Sequence, residues 1–145
     1  MKKVYLASSW RNEDQPRMVE LIRSWGFDVY DFRNPTEGNQ GFAWAEIDPD
    51  WQQWSPLHFR FAVNNHPRAI EGFKLDKQAL ISSDIVVLLL PSGNSAHLEA
   101  AYHSGSGGTT LVHMPQPSEP ELMYGLLTEI TTTTDELEFA LRLLK

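Results

Sequence analysis

Ile85 to Leu90 is an unbroken apolar run between Asp84 and Pro91. A run this short, β-branched at its start, reads as a strand buried on both faces, as in a parallel sheet. Pro91 stops it, and Ser92-Gly93-Asn94-Ser95 turns the chain. From Ala96 a helix is predicted, with Asn94 or Ser95 as its N-cap. Glu99 then falls about one turn into a helix that begins at the carboxyl end of a central strand. That edge is where open α/β sheets bind ligands. A carboxylate there either complements the helix dipole or reacts.

The remaining pattern alternates. Strands are predicted at Lys3–Ala7, Phe27–Tyr30, Thr109–His113 and Thr128–Thr131. Helices are predicted from about Asp14 to Trp25 (Met18, Leu21, Ile22 and Trp25 on one face, Gly26 at its end), at Pro56–Asn64, at Pro67–Ser82 and from Ser95 to about Ser104. Pro117 opens a short helix through Leu126. Thr134 to Leu137 caps a last one that buries Leu137, Leu141 and Leu144. This alternation implies a five-stranded parallel sheet with helices on both faces. The order 2-1-3-4-5 puts the switch point between the first and third strands, so Ala7-Ser8-Ser9 lies beside Pro91-Ser92-Gly93. Residues 31–68 form a long insert after strand 2, and its irregular part holds Phe32, Phe42, Trp44, Trp51 and Trp54. So many large aromatics argue for an ordered lid or specificity segment, and against disorder. The 145 residues suit one domain, 1–145, that includes this insert.

A formal charge of −7 argues against general affinity for nucleic acid or anionic membranes, while leaving room for a small phosphorylated ligand on a local arginine. The absence of cysteine excludes thiolate catalysis and Cys-bound zinc. The histidines lack metal-ligand spacing. No dinucleotide fingerprint, Walker loop or nucleophile elbow is present. Val4 to Ala7 is too short for a signal-peptide core, and no run reaches membrane-spanning length, so a cytoplasmic protein is expected.

Four features converge on the switch point. They are Tyr5 with Ser8, Ser9, Trp10 and Arg11; Asp76, eight residues before Asp84; the turn Ser92, Gly93, Asn94 and Ser95; and Glu99. Each has a plainer reading. Tyr5 fits strand core, Asp76 a solvated helix face, and Asp84 a tether at a strand start. Arg11 fits a local pair with Glu13 or Asp14, and His97 a packed or surface histidine.

Taken together, Lys3-Val4-Tyr5-Leu6-Ala7-Ser8-Ser9-Trp10, Asp76, Asp84 and Ser95-Ala96-His97-Leu98-Glu99 resemble the nucleoside 2-deoxyribosyltransferase superfamily, which includes nucleoside 5′-monophosphate N-glycosidases. The resemblance spans roughly residues 1–30 and 69–130. It implies a flavodoxin-like fold and a homodimer or higher homo-oligomer. It also implies Glu99 as nucleophile, Tyr5 as the residue that orients it, and Asp76 as the group that contacts or protonates the base. Ser9-Trp10-Arg11 matches the Ser-x-Arg that holds phosphate in the nucleotide-cleaving branch. Ala7-Ser8 and Ala100-Ala101 stand where members commonly carry glycine. No counterpart of the neighbouring subunit's asparagine is evident near Thr128-Glu129. These departures weigh toward cleavage over base exchange.

The chemistry would be cleavage or transfer at an N-glycosidic bond through a covalent glycosyl-enzyme. Ser8, Ser9, Ser92, Gly93, Asn94, Ser95 and the helix N-terminus would bind sugar hydroxyls or a 5′-phosphate, with Arg11 as a charged fork. Trp10, Trp44, Trp51 or Trp54 would stack a base or pack the insert. No metal or redox cofactor is required. Two other readings stand beside this one: a glycohydrolase acting on a nicotinamide dinucleotide, and a non-catalytic nucleotide-binding module.

Overall fold

The computed structural model describes residues 1–145. Five strands, β1 (Lys3–Ala7), β2 (Asp28–Tyr30), β3 (Ile85–Leu89), β4 (Thr109–His113) and β5 (Glu129–Thr131), alternate with five helices. The helices are α1 (Gln15–Ser24), α2 (Pro56–Asn65), α3 (Pro67–Ile81), α4 (Asn94–Gly105) and α5 (Thr134–Leu143). All strand pairs are parallel and the order is β2-β1-β3-β4-β5, as the alternation predicts. The chain forms two compact units, Met1–Asp31 with Leu80–Lys145, and Phe32–Ala79.

The first unit is the sheet. Every residue of β3 is buried, which is why its sequence lacks the alternation of a half-exposed strand. Parallel register puts Val4 beside Ile85, Tyr5 beside Val86 and Leu6 beside Val87. Side chains alternate across the sheet. Val4, Leu6, Ile85, Val87, Leu89 and Leu111 therefore share one face. There they pack with Met18, Val19 and Ile22 of α1 and Leu137, Ala140 and Leu141 of α5. Burying each such aliphatic side chain contributes about 1.5–3 kcal/mol. Tyr5, Val86, Leu88 and Val112 point to the other face, which α4 crosses in contact with β1, β3 and β4. Asp84 proves to be a tether: Lys3 N donates to its Oδ2 at 2.8 Å, and Asp84 N donates to Lys3 O at 2.9 Å.

Several boundaries differ from expectation. The Pro117–Leu126 helix shrinks to a 3₁₀ turn at Leu122–Leu126, because Pro117 and Pro120 interrupt helical hydrogen bonding before it. The cap of α5 is Thr133, whose hydroxyl accepts from Glu136 N while the Glu136 carboxylate reaches back, forming a capping box. Leu144 is partly buried against the core. Gly26 ends α1 with φ +88°, a left-handed conformation that favours glycine.

The second unit has 3₁₀ turns at Trp44–Glu46 and Trp51–Gln53, then α2 and most of α3. The break between α2 and α3 falls at His66, held extended by the following Pro67. An aromatic cluster organises the irregular part. Trp44 meets Phe42, Trp54 and Phe59 edge-on at 4.8, 5.9 and 5.6 Å between ring centroids. Trp54 donates Nε1–H to Asp48 Oδ2 at 2.6 Å. No helix of the chain is long and apolar enough to cross a membrane.

Candidate active site

The carboxyl ends of β1 and β3 are adjacent, and two side chains lace the loops that follow them. Ser8 Oγ donates to Leu89 O at 3.0 Å, and Asn12 Nδ2 donates to Pro91 O at 3.2 Å. Asn12 is 3% exposed, and its Oδ1 accepts from Asp14 N at 3.0 Å, turning the chain into α1. Sequence reasoning passed over Asn12, since one asparagine in a polar loop carries no periodic signal. Ser9 is half-buried and its hydroxyl accepts from Arg11 N at 3.1 Å. Trp10 stands out at 50% exposure.

Arg11 is exposed, and no ion pair holds its guanidinium. The expected local pair with Asp14 does not form because Arg17 occupies that carboxylate at 2.6 Å. A cation with no internal partner therefore stands after β1, where a ligand anion could reach it.

After β3, Ser92 is half-buried, and Gly93, Asn94 and Ser95 are exposed. The N-cap of α4 is Gly93, not Asn94 or Ser95, and it provides no side-chain cap. The Gly93 carbonyl accepts from His97 N at 3.4 Å, and His97 Nδ1 lies 2.8 Å from the same oxygen. The earlier cap also changes the place of Glu99. It is the sixth residue of α4, whose first turn contains no acid. The dipole effect fades within the first turn, so dipole complementarity does not explain this carboxylate.

Helical spacing orients Glu99. Ala96, Ala100 and His103 form the buried stripe of α4 against the sheet. At 3.6 residues per turn, Glu99 flanks that stripe on one side, and His97, Ala101 and Ser104 flank it on the other. The His97 flank faces the Leu122–Leu126 turn after β4: His97 Nε2 lies 2.9 Å from Tyr124 Oη, and Ser104 Oγ donates to Leu126 O at 3.0 Å. The Glu99 flank therefore turns toward β1. Glu99 is half-buried, and Tyr5 is 1% exposed on the sheet face that α4 covers.

Asp76 lies on α3 in the second unit and is half-buried. With Arg68, Gly72 and Leu75 it lines a recess against Phe32, Asn39 and Phe42. Gly72 lets that wall close: a Cβ there would sit 3.1 Å from Phe42 Cβ. Arg68 pairs with Glu46 at 3.1 Å and Glu71 at 2.9 Å, which holds its pKa up, while the Ala43 N–H, and after it Arg68, hold that of Glu46 down. Trp44 and Trp54 are engaged in the aromatic cluster, while Trp51 is exposed.

No protein-family model and no curated protein sequence matches this chain. Solved structures do. A 2-deoxyribosyltransferase from the psychrotolerant bacterium Bacillus psychrosaccharolyticus is 19% identical, with a TM-score of 0.61 over 94% of this chain and 90% of its own. A CMP N-glycosidase from Clostridium botulinum is 16% identical, with a TM-score of 0.53 over 97% of this chain and 99% of its own. A conserved protein from Enterococcus faecalis V583 is 15% identical, with a TM-score of 0.64 over 99% and 98%. By fold, the chain is similar to a 2-deoxyribosyltransferase and to a CMP N-glycosidase.

Proposed function

We propose that this protein cleaves, or transfers across, the N-glycosidic bond of a nucleoside or nucleoside 5′-monophosphate. One observation carries the reading: Glu99 lies beyond the first turn of α4, on the flank toward β1, where Tyr5 is buried on the same sheet face. The shared fold with a deoxyribosyltransferase and a CMP N-glycosidase supports the reaction class. The exposed Arg11 supports a 5′-phosphate on the substrate, by charge-assisted hydrogen bonding.

In this mechanism a Glu99 carboxylate oxygen attacks the anomeric carbon and forms a glycosyl ester. The carbon–nitrogen bond breaks, its electron pair goes to the base, and Asp76 gives the departing nitrogen a proton. Water then attacks the same carbon from the face the base has left, loses its proton to the Asp76 carboxylate, and releases Glu99; a second base in place of water gives exchange. The Tyr5 hydroxyl orients Glu99. Ser8, Ser9 and the Ser92-Gly93-Asn94-Ser95 turn hold the sugar or its phosphate, and Trp10 covers the base. Residues 31–68 set specificity. The working form is a cytoplasmic homo-oligomer. Its exposed Leu98, Tyr102, Leu122, Met123 and Leu126 are the kind of apolar surface a second copy covers.

Free-base release from a panel of nucleosides, nucleoside 5′-monophosphates and nicotinamide dinucleotides tests the reading. Turnover of a monophosphate that Glu99→Ala abolishes, with ligand binding retained, is the expected result. Ligand binding without turnover in the wild type would sink it in favour of a non-catalytic module.

A further inference from the structure

His97 and Tyr124 form a relay that ends on the Ser92–Ser95 turn. The first backbone bond of α4, from His97 N to Gly93 O, is stretched to 3.4 Å. The imidazole adds a second contact: Nδ1 lies 2.8 Å from the same carbonyl oxygen. A carbonyl only accepts, so Nδ1 carries the proton. In the neutral ring Nε2 is then an acceptor, and Tyr124 Oη donates to it at 2.9 Å. The two rings also stack, with centroids 5.7 Å apart at 25°. Ser92 Oγ lies 3.4 Å from Nδ1, on the edge of the same contact. Burial, reinforced by nearby Glu121, pushes the Tyr124 phenol up, which keeps it protonated as a donor.

The consequence lies in the turn. A conventional cap would place a Ser, Thr, Asp or Asn side chain over the free N–H groups at the helix start. Here Gly93 has no side chain, and the imidazole holds its carbonyl from the flank away from β1. The turn is braced without an intrinsic group covering those donors.

We propose that Tyr124, acting through His97, is a positioning residue that sets the Ser92–Ser95 turn for binding the sugar phosphate. The inference rests on the function proposed above for that turn, but the brace can be read without substrate. Tyr124→Phe keeps the stacked ring and removes only the donor. His97→Asn keeps a donor near the Nδ1 position and loses the reach to Tyr124. His97→Ala removes both.

In the unliganded protein, ¹⁵N NMR should show His97 as the Nδ1–H tautomer. Tyr124→Phe should mix the tautomers and shift the Ser92–Ser95 amides. In turnover of a nucleoside 5′-monophosphate, Tyr124→Phe and His97→Ala should raise KM about tenfold, with kcat within about threefold, and His97→Asn should recover most of the loss. A wild-type Nε2–H tautomer, or Tyr124→Phe spectra unchanged at Ser92–Ser95, would overturn the proposal. So would equal falls in kcat at unchanged KM. If no panel compound is turned over, the reaction assignment fails, while the tautomer and amide shifts still decide whether the brace exists.

Discussion

The ring of Tyr5 stacks on the ring of Tyr30, its register partner across β1 and β2, with centroids 5.1 Å apart and planes at 21°. Their contact is between ring faces, and a phenylalanine at position 5 keeps it. Tyr5→Phe should therefore leave the melting temperature within about 4 °C, the shift of roughly 1 kcal/mol in a domain this size. Turnover should fall about 10- to 100-fold, the cost of losing about 1.4 to 2.7 kcal/mol of nucleophile orientation. Paired thermal melts and single-turnover assays read the two effects separately. An equal loss of both would make Tyr5 core packing alone.

Arg11 gives a prediction about substrate class. No internal carboxylate competes for its guanidinium, since Asp14 is committed to Arg17. Arg11→Ala should raise KM for a nucleoside 5′-monophosphate about 10-fold or more, as loss of one charge-assisted contact implies. KM for the corresponding nucleoside should hardly change. Steady-state kinetics on both substrates makes the comparison, and equal effects on the two would remove the phosphate from the reading.

Gly108 lies just before β4, under the ring of His103. A Cβ at Gly108 would overlap that ring, and His103 is only 8% exposed, with little room to retreat. Gly108→Ala should destabilise the fold by about 1–3 kcal/mol, as overpacking does. Urea unfolding should show a lower midpoint with an unchanged slope. The double substitution Gly108→Ala with His103→Ala should restore part of the loss.

His113 gives a pH dependence. It is 1% exposed, and its Nδ1 lies 2.9 Å from Thr131 Oγ1, which itself donates to Val112 O at 3.4 Å. Burial holds its pKa below the ordinary 6.5, an effect that the nearby Asp14 and Glu136 partly offset. His103 shifts in the same direction, also through burial. The unfolded chain thus binds protons that the folded chain refuses. Stability from these two groups is complete above about pH 6.5 and falls as the pH drops from there toward the folded values. His113→Gln should flatten the pH dependence of the urea midpoint between about pH 5 and 7. An unchanged slope would contradict the assignment.

Ile85 to Leu90 and the β–α alternation were enough to read the sheet, its order and the switch point, because burial on both faces and helical spacing are local patterns in the chain. Tyr5, Arg11, Ser92 and Glu99 could be named as candidates for the same reason: Tyr5 lies within a recognisable strand, and the other three follow one. The start of α4 was not legible. Asn94 and Ser95 are preferred cap residues, yet Gly93 takes the cap position, and its carbonyl meets the imidazole of His97, which in turn meets a tyrosine far along the chain. Tyr124 and Asn12 stayed invisible because their partners lie 27 and 79 residues away. Hydrogen bonds across such separations leave no periodicity in a sequence. They exist only once the sheet has brought its carboxyl edges and the loops beyond them together.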